Sequence, residues 1–396
     1  MPPRPIHPFP ARMASDLALQ AIKDLPEGST VLDPMSGSGT VMKVAVEYGH
    51  VARGFDVDPM AVLLSKVQTH HVDQGELLDV ARNLLAQAKK ISHEEIVLPW
   101  IDNNQETSDF IDFWYDTSQK KDLRVLAHLV SNTTGNIGNA LRIGMSRLII
   151  TKNKGASLAG DVSHSRPHRI RQRGENDFEV FPEFMKSCKW VAKKTNEIPR
   201  DTDSSIELGD ARHMHTLRDG SVDAVVSSPP YLNAIDYIRG HKMALVWMGY
   251  TIPELRAIRS GSVGASRGVD PDADLALALK LTENCVIEEL PQNIKTMIMR
   301  YAIDINGFIK EAARVVRQDG QVVYVVGNSR IKGILVENTE IIKSVAERHG
   351  LHLASVSERD IPASSRYLPP PKEGGNAPLQ KRMGVETVLS FKKRAA

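Results

Sequence analysis

Two short stretches of this 396-residue chain hold residue types that can do chemistry together. The first is Asp33-Pro34-Met35-Ser36-Gly37-Ser38-Gly39-Thr40, which follows the apolar pair Val31-Leu32. Gly37 and Gly39 let the backbone turn sharply and come close to a ligand with no Cβ in the way. A helix that begins near Thr40 points its unpaired N–H groups at that ligand. A second strand-like run, Val51 to Phe55, ends at Asp56. An acid there can accept from both hydroxyls of a ribose, as in the nucleotide sites of doubly wound folds. The second stretch is Ser227-Ser228-Pro229-Pro230-Tyr231, directly after the apolar run Val222 to Val226. Two prolines stiffen that turn and aim its carbonyls at one fixed place.

These stretches need particular elements around them. The pattern predicts strand, tight loop and helix over residues 30–46, then a strand to Asp56. Asp58-Pro59 reads as an N-cap with proline at the first helical position. This makes Asp56 the ribose ligand and Asp58 a structural acid. Asp16 to Leu25 has helical spacing. Residues 70–205 interrupt the framework. They contain an amphipathic helix over Glu76 to Lys90, an acidic and aromatic run from Trp100 to Trp114, and helical runs from Leu123 to Ile150. A short strand, Ser205 to Leu208, resumes the framework and reaches Asp210. Helices over Ile305 to Val316 and Thr339 to Arg348 follow, with strands over Gln321 to Val326, Leu351 to Val356 and Val385 to Phe391. Residues 260–270 and 366–381 read as loops.

The glycine loop alone matches neither the dinucleotide fingerprint nor the phosphate-loop pattern. The two stretches together resemble the cofactor and catalytic motifs of the S-adenosylmethionine-dependent DNA amino-methyltransferases, which methylate cytosine N4 or adenine N6. The resemblance covers roughly residues 1–70 and 205–393. It implies an α/β fold: a doubly wound, Rossmann-like class I methyltransferase sheet, mostly parallel with an antiparallel last strand, plus a large, mainly helical insertion. It divides the chain into 1–70 with the cofactor motifs, 71–204 as insertion and candidate target-recognition region, and 205–396 with the catalytic motif and a variable loop region around 251–300.

The resemblance also implies roles. Asp33, Pro34, Ser36, Gly37, Ser38, Gly39, Thr40, Asp56 and Ser227 line the cofactor, and Asp210 meets its adenine amino group. His7-Pro8-Phe9-Pro10 resembles the short motif beside the cofactor's methionine end, which adds His7 and Phe9. Ser228, Pro229, Pro230 and Tyr231 are the catalytic residues. Serine at the first position of that turn leans towards cytosine N4. The rival readings are an adenine-N6 enzyme, an RNA amino-methyltransferase and a binding subunit that lost the chemistry. Many members with a serine motif place their catalytic motif before the cofactor motif, and this chain has the reverse order.

Partners follow from charge as well as from the resemblance. Net charge is only +2, so nucleic acid must meet a local patch. Arg166, Arg169, Arg171 and Arg173 lie close in sequence with His164 and His168, and Arg239 and Lys242 follow the catalytic turn. The four arginines, with Arg239 and Lys242, are the expected contacts to double-stranded DNA, mainly its phosphates. A cognate restriction nuclease is a candidate companion. Cys188 and Cys285 give no disulfide framework and no metal spacing, so no metal is expected and a reducing cytoplasm fits. No apolar run is long enough to cross a membrane.

Overall fold

The computed structural model of the chain describes residues 5–9, 12–232, 236–264, 275–282, 290–331, 334–361 and 384–394. Its centre is a seven-stranded sheet. The strands are β1 (Thr30–Asp33), β2 (Val51–Asp56), β3 (Ser204–Leu208), β4 (Val222–Ser227), β5 (Val316–Val326), β6 (Leu351–Asp360) and β7 (Val385–Lys393). Their spatial order is β6-β7-β5-β4-β1-β2-β3. Neighbours from β3 to β5 pair parallel, whereas β7 runs antiparallel to both β5 and β6. The expected doubly wound sheet with an antiparallel final strand is therefore present.

Strand sequence follows strand position. β4 is central, and Val222, Ala224, Val225 and Val226 are all buried, the near-continuous apolar run of a strand covered on both faces. β6 is an edge, and His352 to Ser357 are all exposed, the apolar Leu353 and Val356 among them. The chain runs outward from β1 through β2 to β3, then returns to β4 on the other side of β1. The order reverses between β1 and β4, and ligand crevices of open α/β sheets form at the carboxyl ends of such strands.

Helices Thr40–Glu47 and Gln292–Val315 bury apolar faces on the sheet. In the longer one Ile294, Ile298, Tyr301, Ile305, Phe308 and Ala312 recur at helical spacing. It begins at Gln292, earlier than the expected Ile305, because that apolar spacing runs unbroken back through Ile294. The 251–300 stretch, read as a variable loop, also contains helix Ile252–Gly261, closed at its start by a Thr251–Glu254 capping box, and helix Leu275–Leu281. Residues 265–270 of the polar stretch, the 366–381 loop, Pro10 and Cys285 lie outside the described residues.

The insertion is mainly helical, with helices Gln74–Ala88, Gln105–Trp114, Thr117–Ser131, Gly135–Ser146 and Val180–Asn196. It shares one apolar core with the framework. Met60 and Leu64 from helix Pro59–Thr69, and Met243 and Trp247 from the segment after the Ser-Pro-Pro-Tyr turn, belong to the same cluster as Leu126, Leu141 and Phe184. Tyr115 Oη donates to Met243 O, and Trp100 Nε1 donates to Val246 O at 2.9 Å. Among the described residues no helix is long and apolar enough to cross a membrane.

Candidate active site

The two motifs meet where the strand order reverses. Val31 and Leu32 of β1 pair with Ala224 and Val225 of β4, which carries Asp33 and Ser227 to the same edge. Ser227 Oγ donates to Asp33 Oδ1 at 2.8 Å, across 194 residues of sequence. Met35 N–H donates to the same oxygen at 3.2 Å. Asp33 is only 3% exposed. Burial pushes its carboxyl up to about 7, against the opposing pull of Ser227 and the Met35 N–H.

The loop after Asp33 is held from both sides. Gly37 and Gly39 have φ of +49° and +76°. The Gly37 N–H donates to Asp56 Oδ2 at 2.8 Å, and the Asp58 N–H donates to Asp56 Oδ1 at 2.9 Å. Each oxygen keeps a further lone pair for a ligand hydroxyl. Burial, and then the neighbouring Asp58, pushes the Asp56 carboxyl up to about 7. Gly39 caps helix Thr40–Glu47, which begins at the expected residue. Ser36 and Ser38 are buried: Ser65 Oγ donates to Ser36 Oγ at 3.2 Å, and Ser38 Oγ shares a 3.0 Å hydrogen bond with Thr40 Oγ1. Pro34 is buried beside them.

Asp58 caps helix Pro59–Thr69 through the Met60 N–H at 2.9 Å, as expected. Its other oxygen pairs with His241 Nδ1, a contact that the sequence does not reveal. The two residues are 183 positions apart, so no local pattern could show it. Phe9 lies over this pair, 4.9 Å from the His241 ring and 5.5 Å from the Tyr237 ring. His7 is buried with both ring nitrogens unpartnered. Burial, then the nearby His241, Arg147 and Arg12, hold its pKa well below the ordinary histidine value, so the ring is neutral at pH 7. The N-terminal segment thus packs beside the glycine loop.

The Ser228-Pro229-Pro230-Tyr231 turn begins beside β5. Ser228 Oγ donates to Val325 O at 2.9 Å. That bond uses the hydroxyl proton and leaves the oxygen's lone pairs as acceptors. Pro229 is buried, and Pro230 and Tyr231 are half-buried. Burial raises the Tyr231 phenol above its ordinary value and the Glu386 carboxylate adds to that, outweighing a side-chain hydrogen bond with Ser228, so it stays protonated.

Asp210 is engaged rather than open. Arg212 Nε donates to Asp210 Oδ1 at 3.0 Å and Arg212 Nη2 to Oδ2 at 2.6 Å. Arg212 also pairs with the buried Asp304, whose Oδ2 accepts from the Gly264 N–H at 3.1 Å. Burial would raise the Asp210 carboxyl, but Arg212 outweighs it and holds the group below its ordinary value.

The basic stretch divides. Arg171 Nη1 donates to Gly155 O at 3.1 Å and Ser157 O at 3.0 Å, and Arg173 donates to Asp112 O. These two arginines tie their loop to the insertion. Arg166 and Arg169 are exposed, as is Arg239, and Lys242 is half-buried. Among the described residues no group of three or more His, Cys, Asp or Glu side chains could hold a metal ion.

No protein-family model matches the chain. Its sequence is 20% identical to the Type II methyltransferase M.MvaI of Kocuria varians over 403 aligned positions, covering 90% of this chain and 83% of the relative. It is 24% identical to the Type II methyltransferase M.BsoBI of Geobacillus stearothermophilus over 280 positions. That match covers 64% of this chain and 54% of the relative, so the chain spans about half of the second protein's length. Among solved structures, a TehB-like SAM-dependent methyltransferase from Corynebacterium glutamicum aligns over 96% of this chain and 87% of its own, at 12% identity and a TM-score of 0.31. So loose a superposition adds nothing to the strand order given above. At low identity, but along nine-tenths of its length, the sequence is similar to that of a Type II methyltransferase.

Proposed function

We propose that this chain is a DNA methyltransferase that transfers the methyl group of S-adenosylmethionine to the exocyclic N4 amine of cytosine. The observation that carries the reading is the Ser227–Asp33 hydrogen bond, which joins the cofactor motif and the catalytic motif at one edge of the sheet.

The residues at that edge fit the cofactor. Asp56 has lone pairs for the ribose hydroxyls, and its two backbone donors fix its orientation. A Cβ added to Gly37 would sit in ordinary contact with Met35 O at 3.8 Å and the Phe9 ring at 3.9 Å, so Phe9 packs directly on the glycine loop. The N-terminus of helix Thr40–Glu47 and Phe9 complete the set that would hold it. When bound, the cofactor supplies a methyl group on a positively charged sulfur.

An exocyclic base amine is a poor nucleophile, because its lone pair is delocalised into the ring. Acceptors on its N–H groups draw the nitrogen towards tetrahedral geometry. Ser228 Oγ can accept because its own proton is committed to Val325 O. The Pro229 carbonyl is the second acceptor, held by two consecutive prolines. Tyr231 offers a ring face to the target base. Transfer is direct and in line, and positioning with electrostatics supplies most of the rate. A base in duplex DNA must leave its stack to reach such a turn.

Incubation with methyl-labelled S-adenosylmethionine and unmethylated genomic DNA tests the reading. Label in DNA is expected. Cofactor binding with no transfer to DNA would overturn it, and label transferred only to RNA would move the substrate.

A further inference from the structure

Helix Gln105–Trp114 carries an aromatic strip with cations at both ends. The Phe113 and Trp114 rings meet edge to face at 4.9 Å, and Phe110 lies 6.3 Å from Trp114. The Arg169 guanidinium sits 5.0 Å from the Phe113 centroid, and Lys242 Nζ sits 5.2 Å from the Phe110 centroid. Arg169 comes from the short hairpin of the insertion. Lys242 comes from helix Tyr237–Leu245, which follows the catalytic turn. The strip therefore links the insertion to the catalytic side of the framework.

Its charge leans positive: Asp109 is exposed and bonded to the neutral Gln105 at 2.8 Å, while the other nearby carboxylates are paired with cations. Glu106 pairs with Arg256, Asp236 with Arg259 at 2.6 Å, and Asp112 with Lys120 at 2.6 Å. Among the described residues Arg169, Arg239 and Lys242 have no carboxylate partner. Burial first, and then the crowding by Arg259, Arg239 and Arg256, pull the Lys242 ammonium below its ordinary value, against Asp236. Phe113 is 48% exposed, a large ring left at the surface between those cations. With Arg169, Arg239 and Lys242 against Asp109, the patch keeps a positive excess around an exposed ring, complementary to a polyanion that also has π faces.

We infer that this strip is the surface on which duplex DNA docks, with Arg169, Arg239 and Lys242 on phosphates and Phe113 packed against the adjoining nucleotide. The inference rests on the DNA reading above and adds the face that receives the substrate. It also gives the basic residues different roles. Arg171 and Arg173 fold the hairpin, whereas Arg169 and Lys242 meet DNA.

The test is binding of a fluorescent DNA duplex to the full chain across a salt series, with S-adenosylhomocysteine present. Each lost phosphate contact removes about 0.9 from the slope of log affinity against log salt. Arg169→Gln with Lys242→Gln should lower that slope by about two and weaken binding on the order of tenfold or more at moderate salt. Arg169→Lys with Lys242→Arg should keep the slope. Phe113→Ser should weaken binding severalfold with the slope intact. Unchanged S-adenosylhomocysteine affinity in each variant certifies the fold. A wild-type slope in the double Gln variant would overturn the docking face while leaving the DNA reading standing. A wild-type chain that binds cofactor but no duplex at any salt would sink the DNA reading itself.

Discussion

Replacing Gly39 with alanine should do far more damage than the same change at Gly37, although both glycines have positive φ. At +76° and +49° an alanine carries left-handed strain of roughly 1–2 kcal/mol at either site. The surroundings differ. A Cβ on Gly39 would lie 2.8 Å from both Cα and Oγ of Ser65, inside helix Pro59–Thr69. A Cβ on Gly37 would meet nothing closer than 3.8 Å. The Ser65 Cα is backbone in mid-helix and cannot swing aside, so the helix itself must shift, an overpacking penalty of roughly 1–3 kcal/mol. Gly39→Ala should therefore cost roughly 2–5 kcal/mol, and Gly37→Ala only the strain of roughly 1–2 kcal/mol. Denaturant unfolding of the two variants beside the parent chain measures the difference. Equal losses would refute the claim that Gly39 is glycine because the helix crosses so close.

Asp56→Ala should weaken S-adenosylmethionine binding by roughly 1–3 kcal/mol, the scale for hydrogen-bonding groups left unpaired; unchanged affinity by calorimetry would mean the ribose ligand lies elsewhere. Asp33 carries a pH signature: its carboxyl, pushed up to about 7, stands well above the ordinary aspartate value, so the folded chain holds the proton more tightly than the unfolded one. Burying this acid is therefore tolerated at low pH, grows more costly as pH rises from about 4 to about 7, and levels off above that. The stability of Asp33→Asn relative to the parent should rise across that window, and a flat difference in a pH series of unfolding curves would contradict it. Ser228→Ala should lower turnover strongly and leave cofactor affinity nearly unchanged, because its acceptor matters most as the amine pyramidalises; full activity would remove Ser228 from the site.

Local chemistry made much of the framework legible. The apolar run before Asp33, the paired glycines, the Asp58-Pro59 cap and the Val222 to Val226 strand each specify an element from adjacent residues, and each stands where it was expected. The antiparallel final strand followed from two strand patterns around a long connection. Long-range pairs were not legible. Nothing near His241 marks Asp58 as its partner, and nothing near Arg212 shows that it holds Asp210 and Asp304 together. Spacing alone made one cluster of Arg166 to Arg173. The fold divides it, because Arg171 and Arg173 find backbone carbonyls of the insertion and Arg169 finds an aromatic ring. The helices within 251–300 were hidden by their small and polar neighbours.

The proposed transfer to cytosine N4 stands or falls on the identity of the methylated nucleoside. Genomic DNA methylated by the purified chain, digested to nucleosides and separated by mass spectrometry, should contain N4-methylcytosine. Loss of that product in Ser228→Ala would tie it to the turn beside β5. N6-methyladenine in its place would keep the site and contradict the base assignment, and no methylated nucleoside at all from a chain that binds S-adenosylmethionine would contradict methyl transfer to DNA altogether.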